Sequence, residues 1–445
     1  TVMRSHQRYI PLYKKNVSID PLSLNSSGIA IPRFLCASNG LAIAKDNIIK
    51  GNERVLRARL SDAIFFVQAD LEMTSESRNH KLKFVTFADG LGSLYDRVQR
   101  IIWLSENITK QINIPIANHQ HIRQAATYCK HDLVSHIVGE FPELQGLMGG
   151  KYLLHEGFSK EVALAVCEQY LPRGSTDKLP SSIEGSIIAL TERIETLISI
   201  FYKGERPSGS TDPYALRRAA NGVFQILWSN SWTLDLNHLI KLSIDYWSSC
   251  FPSISIDKKE LSLDLIEFLN QRIISILDDS EIDPDLVQSI IATFNHDNNL
   301  ISDPLDIHKR ISLLVKLKED RQLSNLAKLV TRSARLASNG LLDSSIINPL
   351  DVVDQALFEK SSEVDLYNLL MQLDTIVRLN SGDYYQKLAK LLIDNSNILS
   401  DFFDGDQSVM VMSDDEEIRN NRLNLLTLLT GYSRIIADFT CINRK

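Results

Sequence analysis

The sequence predicts a mainly α-helical protein with a small mixed α+β portion at its N-terminal end. Three observations predict it. From Leu94 onward, apolar residues recur at helical spacing in one segment after another. Strand-like runs beside turn residues occur only around Arg8 and Phe34. Glycine and proline are sparse, 19 and 13 in 445 residues, so few positions interrupt a helix.

Arg8-Tyr9-Ile10-Pro11-Leu12 and Phe34-Leu35-Cys36-Ala37 read as short strands, with Ser38-Asn39-Gly40 as a turn. A helix follows from Gly51 to about Asp70. Helices are then expected over 94–104, 124–138, 162–170, 184–201 and 212–229. Asp212 is placed as the N-cap of the last, with Pro213 at its first helical position, where a missing N–H is no loss. Residues 230–304 read as a helical connector, clearest at 264–269 and 286–291. From 305 the pattern is wholly helical, over 323–337, 364–378, 384–399 and 415–439. Asn380-Ser381-Gly382-Asp383 forms a turn there.

Charge narrows the function. The chain holds 48 basic and 55 acidic residues, a net charge of −7, which is wrong for a protein that coats nucleic acid. Any such contact must come from a local basic face. The segment His308 to Ala337 supplies one, with eight Lys and Arg against Glu319 and Asp320. Arg321, Lys328, Arg332 and Arg335 project to one side of a helix there, and Leu323, Leu326, Val330, Ala334 and Ala337 to the other. One side packs and the other presents cations to phosphates; the competing reading is a solvated charged face.

Arg217-Arg218, and Arg419 with Arg422 three residues on, are further candidates. Each has two readings, RNA contact or pairing with nearby carboxylates. The same holds for Arg54, Arg57 and Arg59. The five cysteines form no CxxC pair, as expected of reduced thiols in a cytoplasm-like compartment. No apolar run reaches the roughly 18 residues of a membrane span. A start on Thr1 is expected of a fragment, and no signal peptide is visible. Phosphate-loop, GxGxxG, GxSxG and HExxH patterns are all missing, so no catalytic residue is assigned.

Several words, in order, carry a resemblance. They include Gly51-Asn52-Glu53-Arg54-Val55, Glu140-Phe141-Pro142-Glu143-Leu144-Gln145-Gly146, Thr211-Asp212-Pro213-Tyr214-Ala215-Leu216-Arg217-Arg218, and Val409-Met410-Val411-Met412. They resemble the β subunit family of the bacterial-type heterotetrameric glycyl-tRNA synthetase, over its C-terminal two-thirds. The resemblance implies four parts: a mixed α+β part (1–95), an HD-like helical domain (96–229), the connector (230–304), and a helical anticodon-binding, DALR-like domain (305–445). It implies a tRNA-orienting role beside an α subunit that carries the active site and uses ATP with magnesium. The partners implied are tRNA(Gly) and that α subunit in an α2β2 assembly, in the cytoplasm, or in a plastid or mitochondrion if the source is a eukaryote.

Within the HD-like part, His155-Glu156 stands where relatives carry His-Asp, and Glu192 and Glu195 stand where they carry two Asp. Each Glu is one methylene too long for a close-fitting site, so the expectation is a degenerate scaffold without metal. His131-Asp132 is a literal pair, but its first position varies in the family and it reads as coincidence. A metal-dependent HD-type phosphohydrolase and a helical protein–protein adaptor are the rival functions.

Overall fold

A computed structural model describes residues 3, 4, 7–15, 22, 30–280, 282–294, 300–342, 348–379 and 381–442. Helices dominate, with one two-stranded sheet among the described residues, as the apolar spacing predicts. Asn380, used above in a turn, lies outside them. The chain divides into two compact units, Thr1–Leu269 and Asn270–Lys445.

In the first unit β1 (Ile10–Tyr13) and β2 (Ala30–Leu35) pair antiparallel, Ile10 opposite Leu35, with a register slip between Pro11 and Tyr13. Tyr9 stacks on Phe34 at 4.7 Å and its hydroxyl donates to Asn52, tying the hairpin to α1 (Lys45–Leu71). After α2 (Ser75–Lys81), α3 (Leu94–Ile112) opens on a capping box in which Ser93 and Asp96 each accept the other's backbone N–H.

The helix expected over 124–138 is instead α4 (Ile116–Tyr128), a 3₁₀ turn, and α5 (His136–Glu140). The break has a cause. His131 and Asp132 turn fully inward, and Asp132 Oδ2 accepts the amides of Gly146 and Gly149 at 2.6 and 2.9 Å. A buried carboxylate needs such donors more than the chain needs two more helical bonds.

Next come α6 (Leu147–His155) and α7 (Lys160–Glu168), which lie so close that a Cβ on Gly150 would meet Ala163 O and Cys167 Sγ at 2.4 Å. The centre is α8 (Ile183–Tyr202), buried along nearly its whole length and packed on α3, α4, α7 and α9 (Leu216–Ser229). Helix α9 starts later than expected. Its N-cap is Ala215 in the left-handed region, φ 54°, while the Asp212 carboxylate accepts the amides of Leu216 and Arg217. Asp212 therefore caps from a preceding turn, and Pro213 lies outside the helix. Helices α10 (Leu236–Cys250) and α11 (Lys258–Asp279) follow, and the boundary between units falls within α11.

The second unit holds α12 (Pro284–Ile291), α13 (Pro304–Glu319), α14 (Leu323–Ala337), the short α15 (Pro349–Val352), α16 (Ser361–Leu379), α17 (Tyr384–Asp394), α18 (Ser396–Asp404) and α19 (Glu416–Arg434). Helix α19 packs on both α14 and α16, burying Leu425, Leu426 and Leu429. Two expectations are corrected. The helix over 384–399 breaks at Asn395, φ −108° and ψ 23°, and the one over 415–439 ends at Arg434.

Candidate nucleic-acid interface

The basic segment lies in the second unit, whose residues 270–445 hold 18 Lys and Arg against 27 Asp and Glu, a balance of −9. Its cations are therefore gathered against the trend. On α14, Leu323, Leu326, Val330 and Ala337 are buried as expected, and Lys328, Arg332 and Arg335 are exposed on the other side. Arg321 is not on that helix. It sits between α13 and α14 at φ 60°, so one helical projection cannot include it; its side chain is exposed at the junction.

Of the eight cations in the segment, three are engaged. Arg310 is buried and pairs with Asp306. Lys318 pairs at the surface with Asp283. Arg332 pairs with Asp404 at 2.5 Å and lies over the Phe403 ring at 4.4 Å, both groups of the pair staying exposed. Lys309, Lys316, Arg321, Lys328 and Arg335 are exposed and make no ion pair among the described residues. What α14 presents is a row of solvated cations with one guanidinium over an aromatic ring. Asp404 and Phe403 are the residues that sequence reasoning missed: they lie far along the chain, and only the fold brings α18 to α14.

The remaining arginines divide. Arg218 is exposed and Arg217 half-buried at the start of α9, in the first unit, with no ion pair among the described residues. Arg419 is half-buried and donates to the carbonyls of Ser413 and Asp414, bracing the turn before α19. Arg422 is the correction. It is 3% exposed, its Nε donates to Glu363 at 2.8 Å and an Nη to Glu359 at 2.7 Å, so it holds the core of this unit and faces no ligand. Arg59 pairs with Glu140, while Arg54 and Arg57 are exposed.

The three carboxylates at the HD-motif positions are engaged by cations of the chain itself. Glu195, fully buried, accepts from Arg97 Nε at 2.6 Å and Arg100 Nε at 3.0 Å. Glu192 accepts from Arg97 and from the buried Lys130. Burial pushes the Glu192 carboxyl up, but Lys130 and Arg97 overcome it and hold its pKa at about 2. His155 is exposed at the end of α6, and Glu156 accepts from Ser75 and from Arg78 at 2.9 Å. The carboxylates a phosphohydrolase would turn toward a metal are thus engaged by guanidinium and ammonium groups, which disfavours that reading. His131 is also built into the core, its pKa pulled to about 3 by burial and by Arg78, with Nε2 facing the Gly149 carbonyl.

Comparison with known proteins places the chain in a family. The family model described as glycyl-tRNA synthetase beta subunit matches residues 1–292. One described as DALR anticodon binding domain matches residues 341–431. The basic row precedes the latter span, and α14 packs on α19 within it. The glycine–tRNA ligase beta subunits of Trichodesmium erythraeum and Gloeothece citriformis are each 40% identical over 99% of this chain, which covers 60% and 61% of their lengths. That of Pediococcus pentosaceus is 32% identical over 99% of this chain and 60% of its own. The chain therefore spans about three-fifths of the relatives it matches, and it belongs to the glycyl-tRNA synthetase beta subunit family.

Proposed function

We propose that this chain is the tRNA-holding part of a glycine–tRNA ligase β subunit. It grips tRNA(Gly) and orients it, while a separate α subunit, in an α2β2 assembly, uses ATP with magnesium to attach glycine. Neither ATP nor metal is held by this chain in that reading, and its contribution to catalysis is positioning. Holding a reactant in place can supply several kcal/mol of a barrier. The compartment is the one where tRNA is charged, the cytoplasm for a bacterial protein.

The observation that carries the proposal is the exposed row Lys328, Arg332 and Arg335 on a unit of balance −9. Arg321 at the junction, Arg217 and Arg218 on α9, and the half-exposed Arg419 are proposed as further contacts. The test is filter binding with tRNA across a salt series. Lys328→Glu with Arg335→Glu weakens binding and lowers the slope of log K against log salt by about 1 per lost phosphate contact. Both substitutions lie on the exposed face, so the helix is retained. An unchanged affinity and slope rule the row out, and no binding by the parent chain favours the helical adaptor.

A further inference from the structure

Helix α1 packs by one side alone. Asn52 accepts the Tyr9 hydroxyl, Ala63, Phe66 and Val67 lie on the cluster of Ile137, Val138, Phe141 and Tyr152, and Leu56 and Asp70 are buried. At about 100° per residue these six fall within about 100° of one another.

Opposite them runs a row of cations. Lys50, Arg54 and Arg57 fall within about 60° of one another, roughly one turn apart at each step, and all three are exposed. None of them makes an ion pair among the described residues, whereas Arg59, on the packed side, is held by Glu140. The spacing is that of Lys328, Arg332 and Arg335 on α14. Phe65 lies on the same side, about 12 Å beyond Arg57 along the axis, and is 65% exposed. The other positions in that arc are Asn47, Ser61 and Gln68, so no carboxylate of α1 falls within it.

The charge and the ring together select the occupant. A solvated helix face pairs its cations with carboxylates one turn away. Asp46 and Glu53 stand four residues before Lys50 and Arg57, yet engage neither among the described residues. A protein partner needs an apolar centre to its contact. This arc holds one aromatic ring, with Ile64 at its edge, among polar side chains. Cations in line with an uncovered ring are instead what holds single-stranded nucleic acid, phosphates on the cations and a base on the ring.

We propose that the outward face of α1 is a second RNA contact. Lys50, Arg54 and Arg57 hold successive phosphates of a single-stranded stretch of tRNA, and Phe65 stacks on one of its bases. The proposal rests on the reading of this chain as a tRNA holder and adds a contact in the unit that lacks α14.

The test is filter binding of this chain with tRNA across a salt series, with the melting temperature of each variant as control. Lys50→Gln, Arg54→Gln and Arg57→Gln together weaken binding and flatten log K against log salt by about 2, at roughly 0.7 per contact to a single strand. Phe65→Leu keeps the apolar bulk and removes the flat ring. It weakens binding by about tenfold with the slope unchanged, and Phe65→Trp retains the parent affinity. All the substituted side chains lie on the exposed face, so the melting temperature is retained. Unchanged affinity and slope in the triple variant overturn the proposal, as does a Phe65→Leu variant that binds like the parent. If Lys328→Glu with Arg335→Glu still weakens binding in that case, the tRNA-holding reading stands without the α1 contact. A parent chain that binds no tRNA removes both. A triple variant that binds tRNA as before but loses a glycine–tRNA ligase α subunit also overturns the proposal, because the occupant is then a protein.

Discussion

Arg422 looks like a surface cation in the sequence, on a helix that opens with Asp415, Glu416 and Glu417. Its partners Glu363 and Glu359 lie 59 and 63 residues upstream, beyond any local pattern. With Glu363 at 0% exposure, removing the guanidinium leaves a carboxylate buried and unpaired. Arg422→Met should cost about 3–5 kcal/mol, read from the urea midpoint, while the folded fraction keeps its tRNA affinity. A large loss of affinity at unchanged stability would return Arg422 to the interface. Glu192 makes a pH argument. Its pKa falls from 4.5 to about 2 on folding, so the stabilisation is complete above about pH 4.5 and is lost as pH falls toward about 2. Glu192→Gln is less stable than the parent at neutral pH, and the gap narrows between those two values. A gap that stays constant through acid would show that the carboxylate does not act as an anion.

At the scale of elements, periodicity made the helices legible but not their ends. A 3₁₀ turn at His131–Val134 and a single non-helical residue at Asn395 leave the apolar spacing nearly intact, so each broken pair reads as one helix. The late start of α9 escaped because Asp212 does cap, but through a turn that Ala215 closes. The basic row was legible because it lies on one helix. What restrains it was not, because Asp404 comes from α18. That contact makes a prediction. Asp404 neutralises Arg332 at the surface, where such a pair is worth only about 0–1 kcal/mol to stability. Asp404→Asn should leave the melting temperature nearly unchanged. It releases Arg332 to phosphates and steepens the salt dependence of tRNA binding by about one unit. No change in slope would mean that Arg332 stays on the Phe403 ring or takes no part.

Over the whole molecule, the helical class followed from sparse Gly and Pro and from long 3.6-residue patterns. The division at residue 269 was not legible, because α11 runs through it without a break in pattern. Each unit has its own centre, α8 in the first and α19 in the second, and each centre is crossed by its own buried ion pairs. Chains built this way depart from all-or-none unfolding. Calorimetry should resolve two transitions. Glu192→Gln should lower one of them and Arg422→Met the other, each by roughly ten degrees, since breaking one buried pair removes several kcal/mol from a unit of this size. The carboxylate and the guanidinium sit in different units, so neither substitution reaches the other transition. A single transition moved equally by both would mean that the two cores melt as one.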